Sequence, residues 1–318
     1  MSVEIYEENK GLTVITVKGL GKYSLKDTLE CGQCFRYENI ASEGSLSAYI
    51  IVIGDLLVKA EQREIGEITF FGISREDFEE KIRPYFCLDR DLEEIRADIV
   101  SNTASEWLIE ASKDASGISI LKQDPWECLC SFIISQNNNI PRIRKIIREI
   151  SAEYGVNLSL HSKTDPKCPL DRCSGTPCEE ICKKCGVCYT FPKPEDIIKS
   201  PEKLLPSKPG FRYGYLVDAA TKVSEGVVDL ADIEAVGKYE YTLEKLKCIK
   251  GVGDKVASCV ALFAFSNLEA FPIDVWMKRA IDTYFDGSLD PRTLGKYAGI
   301  AQQYIFHRIR NIENNKKN

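Results

Sequence analysis

The sequence predicts an α+β fold: an antiparallel, β-rich N-terminal domain followed by a helical domain. Three observations predict it. Residues 3 to about 73 hold β-branched and aromatic runs ("LTVITVKG", "AYIIVIGDLLVKA", "EITFFGI") separated by turn residues, the composition of paired strands. From "SREDFEEKIRPYF" onward apolar residues recur three and four apart, the period of helices with one buried face. The chain has 318 residues of which 44% are hydrophobic, enough to bury two cores rather than one.

The division is placed at 1–112 and 113–318. In the second part "DPWECLCSFIIS", "IPRIRKIIREISAEY" and "LVDAATKVSEGVV" keep the helical period. Residues 165–192, "DPKCPLDRCSGTPCEEICKKCGVCYTFP", break it. Rich in Cys, Pro and Gly, they read as an insertion between two helices.

Several function classes are excluded at once. The start, "MSVEIYEENK", is acidic and lacks the apolar run of a signal peptide, and the longest apolar runs have strand length. This predicts a cytoplasmic protein with no membrane partner. With only His161 and His307, neither a Ser-His-Asp triad nor a histidine-rich zinc site is expected, so acid–base work falls to Lys, Asp, Glu or Cys. A net charge of −6 argues against nucleic acid only as an average, because Arg142, Arg144, Lys145 and Arg148, then Lys278 and Arg279, then Arg308 and Arg310 cluster locally. Solvated helix faces account for such clusters equally well.

The chemistry concentrates in "LKCIKGVGDKVASCVALFAF", residues 246–265, which reads as two short helices hinged on Gly251-Val252-Gly253. The amides of such a turn lie at a helix N-terminus and can hold phosphate without a side chain, although an ordinary hairpin turn explains the glycines by themselves. Lys255 opens the second helix, where the macrodipole disfavours a positive charge, and a neutral lysine amine is a nucleophile. Cys259 lies one turn along on the same face, giving the lysine an apolar neighbour. Asp274, two residues after Pro272, stands at another helix start, as an N-cap, a catalytic carboxylate or both.

In their order of hairpin, proline and aspartate, these residues resemble the helix-hairpin-helix, Gly/Pro-Asp superfamily of DNA glycosylases. "CGQCFRY" (31–37), "YFCLD" (85–89), "LKQDPWECLCSFIISQNNNIPRI" (121–143), "GFRYGYL" (210–216) and "YAGIAQQYIF" (297–306) resemble, in the same chain order, segments of the 8-oxoguanine DNA glycosylases. The likeness spans nearly the whole chain apart from the Cys-rich insert. It implies an all-α helix-hairpin-helix glycosylase domain behind the β domain. It also implies a bifunctional base excision repair enzyme, acting on oxidised guanine in double-stranded DNA as a monomer and needing no cofactor for catalysis. Within enzymes, a glycosylase for another damaged purine is the competing reading; outside them, a metal-dependent DNA-binding protein without chemistry.

The resemblance also implies roles. Lys255 would attack C1′ of a flipped nucleotide and Asp274 would stabilise the charge developing on the sugar. Gly32 would offer a carbonyl to the base, with no Cβ to hinder close approach. Gln302 would read the Watson–Crick edge, the "YAG" lead-in selecting it over Gln303. Phe306 and Cys259 would enclose the two faces of the base. Asn137 would fill the gap left by that base, Phe211 would wedge into the duplex, and Arg142 and Arg212 would bond the orphaned cytosine. Gly251 and Gly253 would face the backbone. Asn-Asn-Asn before "IPRI" also suits a helix cap, and "KPGFRY" a turn followed by a helix. The sequence departs from the pattern of many members at Trp276 (histidine), Phe263 (methionine) and Phe211 (tyrosine), which bears on pocket detail rather than on the reaction.

The 13 cysteines point to metal or buried thiols rather than disulfides in a reducing compartment. Cys178, Cys182, Cys185 and Cys188, in C-x3-C-x2-C-x2-C spacing, are the candidate ligands for a structural zinc ion or iron–sulfur cluster.

Overall fold

The computed structural model describes residues 1–8, 12–40, 44–158 and 188–315. The expected strands form as β2 (Leu12–Lys18), β4 (Ser47–Ile53), β5 (Leu56–Gln62) and β6 (Glu67–Phe71). With β1 (Ser2–Glu8) and β3 (Tyr37–Asn39) they make a six-stranded sheet in the order β1-β2-β6-β5-β4-β3. Every pairing is antiparallel.

β4 is buried at every position, which is why "SAYIIVI" shows no alternation. Tyr49, Ile51 and Ile53 join the main sheet core with Phe70, Phe78 and Phe86, while Ile50 and Val52 on the opposite face are covered by Cys188 and Tyr189. That covering segment follows the Cys-rich region, most of which lies outside the described residues. Its two flanks meet: Leu158 N donates to Cys188 O at 2.7 Å and Thr190 N to Val156 O at 3.0 Å, around a bridge between Asn157 and Tyr189.

A short helix, Leu25–Glu30, interrupts the strands and is not announced by their pattern. Ser24 caps it, its Oγ accepting from Asp27 N at 3.1 Å. The helix delivers the "CGQCF" loop to the helical body, where Gln33 fastens it. The fully buried Gln33 amide donates to Thr28 O at 2.7 Å and Ser119 O at 2.8 Å and accepts from Leu121 N at 2.9 Å. Gln123 then donates through Nε2 to Gln33 O at 2.8 Å and through its backbone to Phe263 O at 2.9 Å. The loop is thereby tied to the last turn of the hairpin helix.

The helical body is built around two apolar helices. Pro125–Ser135 is capped by Asp124 (2.8 Å from Oδ1 to Glu127 N) and is buried from Cys128 to Ile134. Asp254–Phe263 is buried from Val256 to Phe263. They meet where Phe132 stacks on Phe263, ring centroids 5.4 Å apart. Helices Leu92–Ser101 and Glu106–Asp114 contribute Ile95, Ile99, Leu108 and Ala111 to this helical core rather than to the sheet core. Among the described residues no helix is long and apolar enough to cross a membrane.

Candidate active site

The hairpin of the sequence is a hairpin in space. Helices Tyr239–Leu246 and Asp254–Phe263 are joined through a turn containing Gly251 and Gly253. The two glycines do different things. Gly251 has φ 80°, and a Cβ there would lie 2.3 Å from Cδ2 of Tyr215, so the turn closes against that ring. Gly253 is the N-cap, with φ −99° and nothing within 4 Å of a would-be Cβ. Its bareness leaves the first-turn amides open to an anion.

Lys255 is the second residue of that helix. Its Nζ donates to Ser135 Oγ at 3.4 Å and lies 5.3 Å from the ring centre of Phe132, the ring that stacks on Phe263. The amine therefore rests on an apolar, aromatic floor. Asp274 caps helix Val275–Tyr284, its Oδ1 accepting from Met277 N at 2.8 Å. The cap reading is correct, and the residue faces the same space as the lysine.

That space consists of two cavities. The inner one, about 480 Å³, is walled by Gly32, Phe132, Cys259, Gln302, Gln303 and Phe306 among others. The outer one, about 490 Å³, is walled by Gln136, Asn137, Gly253 and Val275. Ser135, Asn138, Lys255, Asp274 and Trp276 line both. The amine and the carboxylate thus stand where the two cavities meet.

The candidate base-binding residues come together in the inner cavity although the chain separates them widely. Cys259 is buried, and burial pushes its thiol up against the opposing pull of Lys255, so it presents an uncharged sulfur. Gln302 is 3% exposed and its Oε1 accepts from Gln303 Nε2 at 2.7 Å. Phe306 lies beneath Arg310, whose guanidinium carbon is 5.2 Å from the ring centre and whose Nη1 donates to Cys31 O at 3.3 Å. Gly32 has φ 94°, and a Cβ on it would make only ordinary contacts, 3.5 Å from Arg310 and 3.6 Å from Ile140. The backbone angle, more than crowding, is what requires glycine there.

Of the residues expected on the opposite strand, Asn137 lines the outer cavity and Arg212 bonds to its backbone. Asn137 has φ 46°, and Asn139 caps the next helix by accepting from Arg142 N at 3.0 Å. Phe211 is 54% exposed and meets Tyr215 edge-on at 5.8 Å. Arg142 is exposed. Arg212 is not: it is 2% exposed and donates to the carbonyl oxygens of Gln136, Asn137 and Pro209. Other local basic residues are structural. Arg144 and Arg148 both pair with Glu38, and Arg308 pairs with Asp114.

A family model described as 8-oxoguanine DNA glycosylase, N-terminal domain, matches residues 16–129. The solved chain MBOgg1, in complex with a low-affinity DNA ligand, is 31% identical and superposes with a TM-score of 0.81 over 98% of this chain and 100% of that one. The chain belongs to the 8-oxoguanine DNA glycosylase family. An 8-oxoguanine glycosylase/lyase of Clostridium acetobutylicum, crystallised with double-stranded DNA carrying cytosine opposite the lesion, is 29% identical, with a TM-score of 0.78 over 99% of each chain. The N-glycosylase/DNA lyase of Saccharomyces cerevisiae is 28% identical over 278 residues, covering 80% of this chain and 66% of that protein, just under two thirds of its length. For a member of this glycosylase family, sequence reasoning passed over Phe132, Ser135, Gln303 and Arg310 as site residues. The first three lie inside segments that carry the resemblance but are not singled out by it, and Arg310 was noticed only as charge. Of the candidate metal ligands, Cys178, Cys182 and Cys185 lie outside the described residues, and Cys188 is buried against Ile50 and Val52.

Proposed function

We propose that this chain excises 8-oxoguanine from duplex DNA and nicks the resulting strand through a Schiff base. The observation that carries the reading is the position of Lys255 and Asp274 where the inner and outer cavities meet. A flipped base enters the inner cavity while its sugar remains beside the amine. The Lys255 nitrogen forms a bond to C1′ as the bond from C1′ to the base breaks, the base leaving with the bonding pair. Asp274 stabilises the positive charge on the sugar during this exchange. Opening of the sugar ring gives an iminium on Lys255. Loss of a 2′ proton then expels the 3′ phosphate, and water releases the lysine.

The lesion differs from guanine at C8, which gains an oxygen, and at N7, which gains a proton. A carbonyl facing N7 accepts from the oxidised base and opposes the lone pair of guanine. The Gly32 carbonyl is assigned this role, with Phe306 and Cys259 enclosing the base and Gln302 at its Watson–Crick edge. Asn137, Phe211, Arg142 and Arg212 serve the opposite strand, the last through the turn it holds. A DNA-binding protein without chemistry needs only the hairpin amides, not an amine facing an inner cavity.

Borohydride trapping on a duplex with one 8-oxoguanine tests the reading. A covalent adduct that disappears in Lys255→Gln, with DNA binding kept, supports it; wild-type turnover by that variant overturns it. For the Cys-rich insert we propose a structural zinc ion or iron–sulfur cluster held by Cys178, Cys182, Cys185 and Cys188. Its support is the ligand spacing, and metal analysis of anaerobically purified protein decides it against plain thiols.

A further inference from the structure

Gln303 adjoins Gln302 on the C-terminal helix, and both residues are in the wall of the inner cavity. Gln303 is 4% exposed. Its Nε2 is committed to Gln302 Oε1 at 2.7 Å, and its own Oε1 is buried without a hydrogen-bond partner. An orphaned carbonyl oxygen is rare inside a folded protein, and here it belongs to a residue that lines a cavity large enough to admit a donor. A side chain needed only for packing at this position would be apolar.

The two amides together offer a pattern. Gln302 Nε2 is a donor, Gln302 Oε1 an acceptor held in orientation by Gln303, and Gln303 Oε1 a second acceptor. A guanine-type edge presents the complement: O6 accepts, N1–H donates and the exocyclic 2-amino group donates. An adenine-type edge offers neither the N1 proton nor the 2-amino group.

We propose that Gln303 is a specificity-determining residue whose Oε1 accepts from the 2-amino group of the flipped base. This rests on the reading that the chain excises 8-oxoguanine, and it assigns part of the edge to a second glutamine. Gln303 thus both reads the amino group and sets which way the Gln302 amide faces.

The test compares single-turnover excision of 8-oxoguanine with that of 8-oxohypoxanthine, which keeps the C8 oxygen and the N7 proton but lacks the 2-amino group. The wild-type protein is expected to favour 8-oxoguanine by roughly 5- to 100-fold, the range for leaving one buried acceptor unpaired. Gln303→Met, similar in length and without the acceptor, is expected to bring the ratio close to one. Gln303→Asn, which keeps both an acceptor and an amide donor toward Gln302, is expected to retain more of the preference than Gln303→Met and decides the matter should the Met variant not fold. A wild-type ratio near one, an undiminished ratio in Gln303→Met or a ratio in Gln303→Asn no higher than in Gln303→Met overturns the inference. Failure of the wild-type protein to excise 8-oxoguanine at all would instead sink the functional reading.

Discussion

The carbonyl oxygen of Asn137 lies 2.9 Å from Nη2 of Arg212, and the same guanidinium holds Gln136 O and Pro209 O. Asn137 has φ 46°, a left-handed conformation that asparagine tolerates better than most residues but that still needs support. Arg212 supplies it, with four of its five N–H donors engaged in doing so. Arg212→Met is expected to destabilise the protein by about 2–3 kcal/mol in urea unfolding, since several charge-assisted bonds to buried carbonyls are lost together. Arg142→Met, at an exposed position, should change stability by less than about 0.5 kcal/mol. Its effect should appear as weaker binding to a lesion duplex and a shallower salt dependence.

The hairpin glycines should respond differently to alanine. At Gly251 a methyl group meets the Tyr215 ring at 2.3 Å with φ 80°, so Gly251→Ala is expected to cost more than about 1 kcal/mol and to displace the turn. At Gly253 nothing lies within 4 Å, so Gly253→Ala should lose only the cap preference of glycine, about 0.5–1 kcal/mol and without displacing the turn, while binding DNA less well. Thermal melts beside titrations with an undamaged duplex separate the two effects.

Asp274 caps one helix and faces the amine, and asparagine separates those jobs. Asn is as good an N-cap as Asp, so Asp274→Asn should retain stability within about 0.5 kcal/mol. Removing the negative charge is expected to slow single-turnover excision by about 10²–10³-fold, the usual loss when one preorganised electrostatic partner is removed. Equal rates in the two proteins would reduce Asp274 to a cap.

The proposed Gly32 contact can be tested without altering the protein. In Lys255→Gln protein, a duplex carrying 8-oxo-7-deazaguanine is expected to bind roughly 5- to 100-fold more weakly than one carrying 8-oxoguanine, because the N7 donor is gone while the C8 oxygen stays. Equal affinities would move recognition to the oxygen. Substituting Gly32 itself is less informative, since φ 94° makes any side chain there a backbone perturbation as well.

What the sequence revealed follows the range of each signal. The runs that became β2, β4, β5 and β6 were legible because strand composition is local, and the hairpin was legible because Gly-Val-Gly stops one helix and starts another. The helix Leu25–Glu30 was not, because six residues are too few for a helical period to show. Lys255 and Asp274 could be named from a short window. The floor beneath the amine could not: Phe132 and Ser135 come from a helix more than a hundred residues earlier and read there as core. Arg212 was legible as a cation beside DNA but not as the clamp of the Gln136–Asn137 turn, since burial is a property of the assembled fold. Gln303 was passed over in favour of its neighbour because a motif fixes which glutamine matches but cannot show that both residues line one cavity.

The bridge between Asn157 and Tyr189 makes the chain modular. With Val156 bonded to Thr190 and Leu158 to Cys188, the two strands of the bridge already define where the polypeptide departs and where it comes back. The entropy of closing a loop grows only slowly with its length, so residues can be gained or lost between these anchors at little thermodynamic cost. Gly32, Lys255 and Gln302 all lie outside that interval and owe their placement to other contacts. A protein engineer can therefore use this junction to attach a reporter or a second domain away from the catalytic geometry.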